Sequence, residues 1–360
     1  MRTLFLSASF GGGHLQANRA LHEALGGEAL ERDYLEYIPL WQRLPVVGVY
    51  HFSLRYWPGL YRWFYRVTDT PKEPRVITAQ FDRAGFAALR TDVLSFEPEV
   101  VISSFPTATA LVGSVRRELG ADFKSVLVVT DFRAHRHWAQ LSADLVFVPS
   151  EEAAADLVRF GLPRERVLLS GIPLRREVVA GADPEEVRRA FGFDERPLVL
   201  IASGATDAYR AEGEAVRAVA ALGVPAQVVR FRPGARRERR EEGVVTVHTL
   251  PAGPDFARVL AAADLVLGKA GGVTVAEALA LGKPYLVYKP IPGHEERNAL
   301  WLEEKGAGRF ARTRGELHSL LSAWLKDPLL AAAYGERARA LGRPRAAWEV
   351  AERIRALLGG

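Results

Sequence analysis

The chain has 360 residues, of which 48% are hydrophobic and 25% charged, with no cysteine and a formal net charge of +5. This length favours two globular domains, and the missing cysteine excludes disulfides, thiolate nucleophiles and thiolate metal sites. No run of about 18 uncharged apolar residues is present, and residues 1–7 lack a signal-peptide pattern, so we expect a cytoplasmic protein without a membrane span.

In the first half, apolar runs alternate with helical patterns, which is typical of a parallel sheet with crossover helices. Strands are predicted at 3–7, 100–103, 125–130, 145–148 and 167–170. Helices are predicted between them, for example at 14–25, 106–118 and 151–160. The polar stretch 171–184 contains proline and glycine and is predicted to link two domains.

Residues 34–66 interrupt this pattern with many aromatic side chains and several arginines. The aromatic side chains include Trp57 and Trp63, and the arginines interleaved with the aromatic residues include Arg43 and Arg62. Rings and cations together suit the headgroup zone of an anionic membrane. A core helix pair with arginines on its wet side is the alternative, and the sequence leaves both open. RNA binding is not favoured, because no strongly basic face accompanies the rings.

The second half repeats the alternation. Strands are predicted at 198–202, 226–231, 244–248, 264–267 and 285–288. Amphipathic helices close the chain, the last at 346–358. The arginines between 230 and 240 stand beside glutamates and are predicted to form a solvated surface loop, with contact to anionic lipid as the alternative.

The most informative stretch is 269–279, where glycine follows a predicted strand and opens a helix. Backbone N–H groups of Gly271 and Gly272 could then approach a pyrophosphate at the positive end of the helix dipole. Thr274 and Glu277 are three residues apart and share one helix face, and a carboxylate beyond a phosphate cradle suits a ribose diol. The stretch therefore predicts a nucleotide diphosphate site.

Five motifs follow one another along the chain. They are Ser9-Phe10-Gly11-Gly12-Gly13-His14, the run 129–132 with His135 and Trp138, Gly171-Ile172-Pro173-Leu174-Arg175, the run 269–277 and the run 289–296. Together they resemble the monogalactosyldiacylglycerol synthases and the bacterial processive diacylglycerol glucosyltransferases, over nearly the whole chain and in the right order. The GlcNAc transferase that forms peptidoglycan lipid II is similar in plan but more distant.

This resemblance implies an α/β protein of the GT-B fold, with two doubly wound Rossmann-like domains facing each other across a cleft. The first domain, 1–172, would hold the acceptor and the insertion 34–66, and the second, 173–345, would bind a UDP-sugar. A C-terminal helix, 346–360, could pack back on the first domain. The resemblance also implies inversion: the acceptor hydroxyl attacks the anomeric carbon from the face opposite the UDP.

Such a transfer needs a base, and His14 is our candidate. It opens a helix behind three glycines, where the helix dipole favours the neutral imidazole that a base requires. Asp131, at the end of a predicted strand, could orient His14 or only cap the following loop. His135 matches the bacterial spacing better than His137, and which of them faces the cleft stays open. The predicted acceptor side comprises Gly12, Gly13, His135, Trp57 and Trp63.

The departing diphosphate needs hydrogen-bond donors and positive charge. Gly271 and Gly272 supply N–H groups, and Arg175 matches an arginine that contacts phosphate in the lipid II relative. Ser203 could add a phosphate-facing loop or belong to an ordinary turn. Lys269 is a further candidate, with a solvated loop position as the alternative.

For the sugar, the turn 290–293 leads into a helix that begins with His294, Glu295 and Glu296. Both glutamates align with residues that hold sugar hydroxyls in the lipid II relative, and Asn298 could assist, whereas helix capping is the alternative. The chain has no Asp-x-Asp pair and no cluster at metal-ligand spacing. No metal or other cofactor is therefore expected, and the helix dipole with arginine would take that role.

The leading hypothesis is transfer of glucose or galactose from UDP to the sn-3 hydroxyl of diacylglycerol, which makes membrane glycolipid. The protein would bind peripherally to the anionic inner face of the cell membrane. The sequence leaves UDP-glucose and UDP-galactose open as donors. The alternatives are a UDP-sugar epimerase, a GT-B transferase with a polyprenol-linked acceptor, and an inactive lipid-surface binding protein. No nucleic acid partner is expected.

Overall fold

The computed structural model describes residues 1–9, 12–41, 43–44, 48, 52, 56–70, 78–204, 209 and 211–359, with the backbone alone for 78–84. By its contacts the chain divides into two units. The first comprises Met1–Leu174, Pro292–His294 and Arg345–Gly360, and the second comprises Arg175–Ile291 and Glu295–Pro344. The first boundary thus falls after Leu174, where the sequence placed it after Ile172, and the end of the turn 290–293 belongs with the first unit.

The first unit is built on a parallel sheet. Its strands are β1 (Arg2–Ser7), β2 (Glu28–Asp33), β3 (Val100–Ser103), β4 (Lys124–Val128), β5 (Leu145–Val148) and β6 (Val167–Leu169). They lie side by side in the order β2-β1-β3-β4-β5-β6. The inner strands are buried along most of their length, β3 at every residue, as expected for a parallel sheet covered on both faces.

Helices cover both faces of this sheet. They are α1 (Gly12–Leu25), α2 (Tyr34–Tyr37), α3 (Pro58–Thr68), α4 (Thr78–Phe96), α5 (Pro106–Leu119) and α6 (Glu151–Arg159), with short 3-10 turns at Arg136–Trp138 and Arg164–Arg166. One apolar core contains Leu4 and Leu111, and the opposite core contains Phe5 and Val126. None of the helices in the described part of the chain combines the length and apolar character that a membrane crossing requires.

The second unit also has a mainly parallel sheet. Its strands are β7 (Leu198–Ala202), β8 (Ala226–Arg232), β9 (Glu238–Glu242), β10 (Val245–Pro251), β11 (Leu265–Gly268), β12 (Tyr285–Tyr288) and β13 (Gly308–Ala311). Their order is β13-β12-β11-β7-β8-β10-β9, and β9 alone among these runs antiparallel, against β10. The helices are α7 (Arg176–Ala180), α8 (Pro184–Phe191), α9 (Glu212–Ala220), α10 (Asp255–Ala262), α11 (Gly272–Ala280), α12 (His294–Glu304), α13 (Arg314–Lys326) and α14 (Pro328–Leu341).

The last helix, α15 (Ala346–Gly359), belongs to the first unit. Its side chains Val350 and Ile354 are fully buried in the core that contains Phe5. Arg355 Nη2 donates to the carbonyl oxygens of Ala24 at 2.8 Å and Leu25 at 3.1 Å, at the C-terminal end of α1. The end of the chain therefore completes the first unit.

Each sheet has one point at which the chain reverses its winding direction. In the first sheet this point lies between β1 and β3, and in the second between β7 and β11. Open α/β sheets bind ligands beyond the carboxyl ends of the strands at such points. In the first unit this is where α1 begins, and in the second it is where the segments after β7 and β11 lie.

The predicted α/β class with two doubly wound sheets is confirmed. Three strands at the sheet edges, however, were not predicted. β2, β9 and β13 carry charged side chains and lack long apolar runs. The predicted arginine loop is wrong in consequence: Arg230 lies in β8 and Arg240 in β9. Arg230 is also buried, and its guanidinium pairs with Glu212 at 3.2 Å. The predicted linker 171–184 likewise contains a short helix, α7.

Candidate active site

His14 is the third residue of α1, after Gly12 and Gly13, and its side chain is partly buried. Phe10 and Gly11 of the same predicted motif lie outside the described residues. The ring is 5.8 Å from that of Phe105, nearly perpendicular to it, and the backbone carbonyl accepts a hydrogen bond from Ser104 Oγ at 3.2 Å. Burial lowers the pKa of His14 below its ordinary 6.5, against an upward effect of Asp131. The neutral imidazole is therefore favoured.

The loop after β4 lies beside this imidazole. Nδ1 of His14 is 3.4 Å from Thr130 Oγ1. Asp131 is buried, and its Oδ2 accepts a hydrogen bond of 3.1 Å from Trp138 Nε1. The charge of Asp131 raises the pKa of His14, and the hydroxyl of Thr130 contacts the ring. Thr130 was not predicted as a site residue, although it stands at the same strand end as Asp131.

His135 fastens α3 to the segment after β4. Its Nε2 is 3.0 Å from the carbonyl oxygen of Tyr65 and 3.3 Å from Thr68 Oγ1, and its Nδ1 accepts from the backbone N–H of His137 at 3.2 Å. This pattern requires the tautomer with hydrogen on Nε2, which donates to the Tyr65 carbonyl. His135 is almost fully buried, whereas His137 remains partly exposed.

The segment 34–66 contains both buried and exposed aromatic side chains. Tyr34 and Tyr37 are buried in the core of the first unit. On α3 and the residue before it, the exposed apolar side chains are Trp57, Leu60, Trp63, Phe64 and Val67. The last four recur at the helical spacing of three or four residues, so they form one apolar face, and Trp63 is 60% exposed. Tyr50 and Arg55 lie outside the described residues.

In the second unit, α11 begins at the carboxyl end of β11. Gly271 is its N-cap and makes no side-chain cap hydrogen bond, and the first turn, from Gly272, holds no acidic residue. Thr274 lies partly exposed in that turn. Backbone N–H groups at a helix start without a side-chain cap are a ready site for an anion.

One turn further along α11, Glu277 is buried and paired. Its Oε1 lies 3.0 Å from Nη2 of Arg175, and Glu277 is only 2% exposed. Burial raises the pKa of Glu277, and the Arg175 guanidinium acts in the opposite direction. Nε of Arg175 is buried without a hydrogen-bond partner in the described part of the chain. The two residues predicted to bind ribose and phosphate thus contact each other.

Ser203, directly after β7, is buried. Its hydroxyl donates to Glu212 Oε2 at 2.7 Å, and Glu212 also pairs with Arg230 and Arg232. The hydroxyl of Ser203 is therefore engaged inside the unit. Residues 205–208 of the same loop lie outside the described part.

The start of α12 holds two kinds of side chain. Glu295 and Asn298 are buried, and they contact the segment after β11: Glu295 Oε1 pairs with Lys269 Nζ at 2.6 Å, and Asn298 Nδ2 donates to the Ala270 carbonyl at 3.0 Å. His294 and Glu296 remain partly exposed. Sugar contact for all four stays a prediction, and the exposed pair is better placed for it.

The structure also bears on metal binding. Across the described ranges, His, Asp and Glu side chains form no group of three that could hold a metal ion.

Two family models match the chain in sequence. The model described as monogalactosyldiacylglycerol synthase matches residues 14–174, and the model described as the glycosyltransferase family 28 C-terminal domain matches 234–345. A processive diacylglycerol β-glucosyltransferase of Bacillus mycoides is 25% identical over 366 residues, covering 98% of this chain and 93% of that protein. The predicted resemblance to the monogalactosyldiacylglycerol synthases and the processive diacylglycerol glucosyltransferases is confirmed. The enzyme of the same name from Bacillus licheniformis is 26% identical and covers 90% of this chain and 86% of its own length.

Solved structures agree on the fold of this glycosyltransferase. MurG of Acinetobacter baumannii matches with a TM-score of 0.64 at 18% identity and covers 99% of both chains. A UDP-GlcNAc 2-epimerase from Neisseria meningitidis matches with a TM-score of 0.60 at 14% identity over all of both chains. The predicted GT-B fold is confirmed.

Proposed function

We propose that this glycosyltransferase moves a hexose, glucose or galactose, from UDP to the sn-3 hydroxyl of diacylglycerol with inversion at the anomeric carbon. The observation that carries the donor half is the start of α11, where uncapped backbone N–H groups stand one turn before the buried Glu277–Arg175 pair. The acceptor half is supported by the curated relatives, whose name specifies diacylglycerol.

In this proposal the diphosphate binds the N–H groups at Gly271 and Gly272, with the hydroxyl of Thr274 beside it. Glu277 accepts hydrogen bonds from the ribose hydroxyls, and Arg175 supplies positive charge as the diphosphate departs. His294 and Glu296 contact the hexose. No metal is required, because the helix start and the guanidinium together offset the charge of the leaving group.

The chemical step needs one proton transfer. Nε2 of His14 takes the proton of the acceptor hydroxyl while the oxygen forms its bond to C1 of the hexose. The bond between C1 and the diphosphate oxygen breaks on the opposite face, and UDP leaves with the electron pair. The charge of Asp131 stabilises the imidazolium that forms. Gly12 and Gly13 keep the approach to the ring free of side chains.

The exposed face of α3 is the proposed membrane contact. Trp57 and Trp63 would enter the headgroup zone at the inner face of the cell membrane, and Arg66 would meet anionic lipid phosphates. His135 would act indirectly, because it holds the helix that carries this face.

The test is a transfer assay with purified protein, radiolabelled UDP-glucose or UDP-galactose, and vesicles of phosphatidylglycerol with or without diacylglycerol. We expect labelled glycolipid and free UDP only with diacylglycerol. A His14→Ala variant should still bind UDP but form glycolipid at least about 100-fold more slowly. Label that stays water-soluble with both donors would contradict the proposal.

An epimerase is the second candidate, favoured by the whole-chain fold likeness to the UDP-GlcNAc 2-epimerase. An epimerase would change the sugar of UDP-GlcNAc without any lipid. Chromatography of the nucleotide sugars after incubation without vesicles separates the two functions.

A further inference from the structure

The segment after β11 is fixed from one side by residues of β12 and α12. The hydroxyl of Tyr285 donates to the Lys269 carbonyl, and the side-chain amide of Asn298 donates to the Ala270 carbonyl at 3.0 Å. Asn298 is fully buried. Two consecutive carbonyls of the segment that leads into α11 are thus held by side chains from the neighbouring strand and helix.

The strongest contact to this segment is ionic. Lys269 Nζ lies 2.6 Å from Glu295 Oε1, and the other carboxylate oxygen, Oε2, accepts a hydrogen bond of 2.8 Å from the backbone N–H of Ile291. Glu295 is 2% exposed. Both of its oxygens are therefore engaged inside the unit, one by the segment after β11 and one by the segment after β12.

The lysine stem also reaches the loop after β7. Gly204 has a φ of +82°, and a Cβ built on it would lie 2.8 Å from Cε of Lys269. A side chain at position 204 would displace the stem. The closest atom to a Cβ on Gly271 would be Glu295 Oε1, at 3.5 Å. Lys269 and Glu295 thus lie where the segments after β7, β11 and β12 meet.

We propose that Lys269 and Glu295 are a positioning pair that joins the phosphate loop (269–272) to the sugar turn (289–291). This inference rests on the proposed function, because it assigns the two segments to the two halves of a UDP-hexose. In the sequence analysis Lys269 was a candidate phosphate ligand and Glu295 a sugar ligand. Here neither touches the donor: their bond fixes the distance between the diphosphate and the hexose, and so places C1 for attack.

The chemistry of the pair sets the expected pattern of defects. A buried ion pair that loses one partner leaves an uncompensated charge, whereas loss of both charges with similar volumes is far better tolerated. Misplacement of a reacting atom by about 1 Å lowers a rate by on the order of 100-fold without removing the binding contacts. Loss of the pair should therefore lower kcat for UDP-hexose more than it weakens the binding of UDP.

The experiment compares Lys269→Met, Glu295→Gln and the double variant, with Glu118→Gln as the matched control from an exposed ion pair of the first unit. Melting curves identify the variants that fold, and the double variant is expected to fold because it buries no lone charge. Calorimetry gives Kd for UDP and for UDP-hexose, and the transfer assay gives kcat. We expect kcat to fall about 10- to 100-fold and the affinity for UDP to stay within about threefold of the wild-type value. The effects of the two single substitutions on kcat should not add in the double variant.

Additive effects on kcat would overturn the positioning pair. A changed preference between UDP-glucose and UDP-galactose in Glu295→Gln, but not in Lys269→Met, would also overturn it. Such a result would mean that Glu295 contacts the sugar directly. If the wild type fails to glycosylate diacylglycerol, the proposed function fails by itself. Calorimetry then tests the positioning pair by itself. A larger loss of affinity for UDP-hexose than for UDP in the double variant would support the pair, and any other result would contradict it.

Discussion

Arg175 Nη2 lies 3.0 Å from Glu277 Oε1, and this contact joins the first residue of the second unit to the middle of α11. The carboxylate is buried, so its charge depends on the guanidinium beside it. Both residues are proposed donor ligands. The ion pair therefore connects the guanidinium proposed to offset the charge of the diphosphate with the carboxylate proposed to accept hydrogen bonds from the ribose.

The first prediction concerns the pH dependence of UDP binding. Burial raises the pKa of Glu277, and Arg175 counteracts this. Protonation removes the ribose acceptor, so UDP affinity should fall as the pH drops through that raised pKa. In Arg175→Ala the pKa rises further, and the loss should begin at a higher pH. Calorimetry between about pH 5 and 8 measures this. Arg176→Ala, at the exposed neighbouring residue, is the control, and parallel pH curves for both variants would refute the coupling.

The second prediction concerns His14 as the base. Replacement by alanine should lower kcat about 10²- to 10⁴-fold and leave UDP affinity nearly unchanged. Because burial lowers the pKa of His14, the neutral form persists below pH 6.5, and activity should fall only at more acidic pH.

The Asp131→Asn variant separates charge from geometry at this site. It removes an influence that raises the pKa of His14, so the acidic limb of the pH–rate profile should move to lower pH. An unmoved limb in this variant would mean that the profile reports another group.

The third prediction concerns the apolar face of α3. Each of Trp57 and Trp63 buries apolar area worth about 1.5–3 kcal/mol if it enters a membrane, so Trp57→Ser with Trp63→Ser should weaken vesicle binding at least about 100-fold. UDP affinity should not change. Leu329→Ser is the matched control, because Leu329 is 83% exposed on α14. Flotation with phosphatidylglycerol vesicles measures binding, and equal losses in the two proteins would exclude a specific role for α3.

The fourth prediction concerns the C-terminal helix. Ile354 is fully buried in the core that contains Phe5, so Ile354→Ala should lower the free energy of unfolding of the first unit by about 2–5 kcal/mol. The exposed neighbour Arg353→Ala should change it by less than about 0.5 kcal/mol. Urea unfolding followed by near-ultraviolet circular dichroism compares them. Similar curves would show that α15 contributes little to the stability of that unit.

The sequence predicted the buried strands best. β3, β7 and β12 were predicted to the residue, because each is a short apolar run that ends at polar or turn residues. β9 was missed because Glu238–Glu242 is charged throughout and pairs only at the sheet edge. Side chains of β9 are exposed at four consecutive positions, so on both faces, and its sequence therefore need not alternate.

The sequence predicted where the candidate site residues lie along the chain, but not which side chains they contact. The glycine at the start of α11 and the carboxylate at 277 could be located from local spacing. The contacts Lys269–Glu295 and Ser203–Glu212 depend on which strands are neighbours and on side-chain rotamers, which local sequence does not encode. The internal partners of Ser203 and Glu295 therefore could not be predicted from the sequence.

The central claim is that a UDP-sugar binds at the start of α11, and a crystal structure with UDP tests it most directly. The account predicts diphosphate density within hydrogen-bond distance of the backbone N–H groups that follow Gly271, with the ribose hydroxyls on Glu277. UDP bound elsewhere in the crystal, with the start of α11 open, would contradict it.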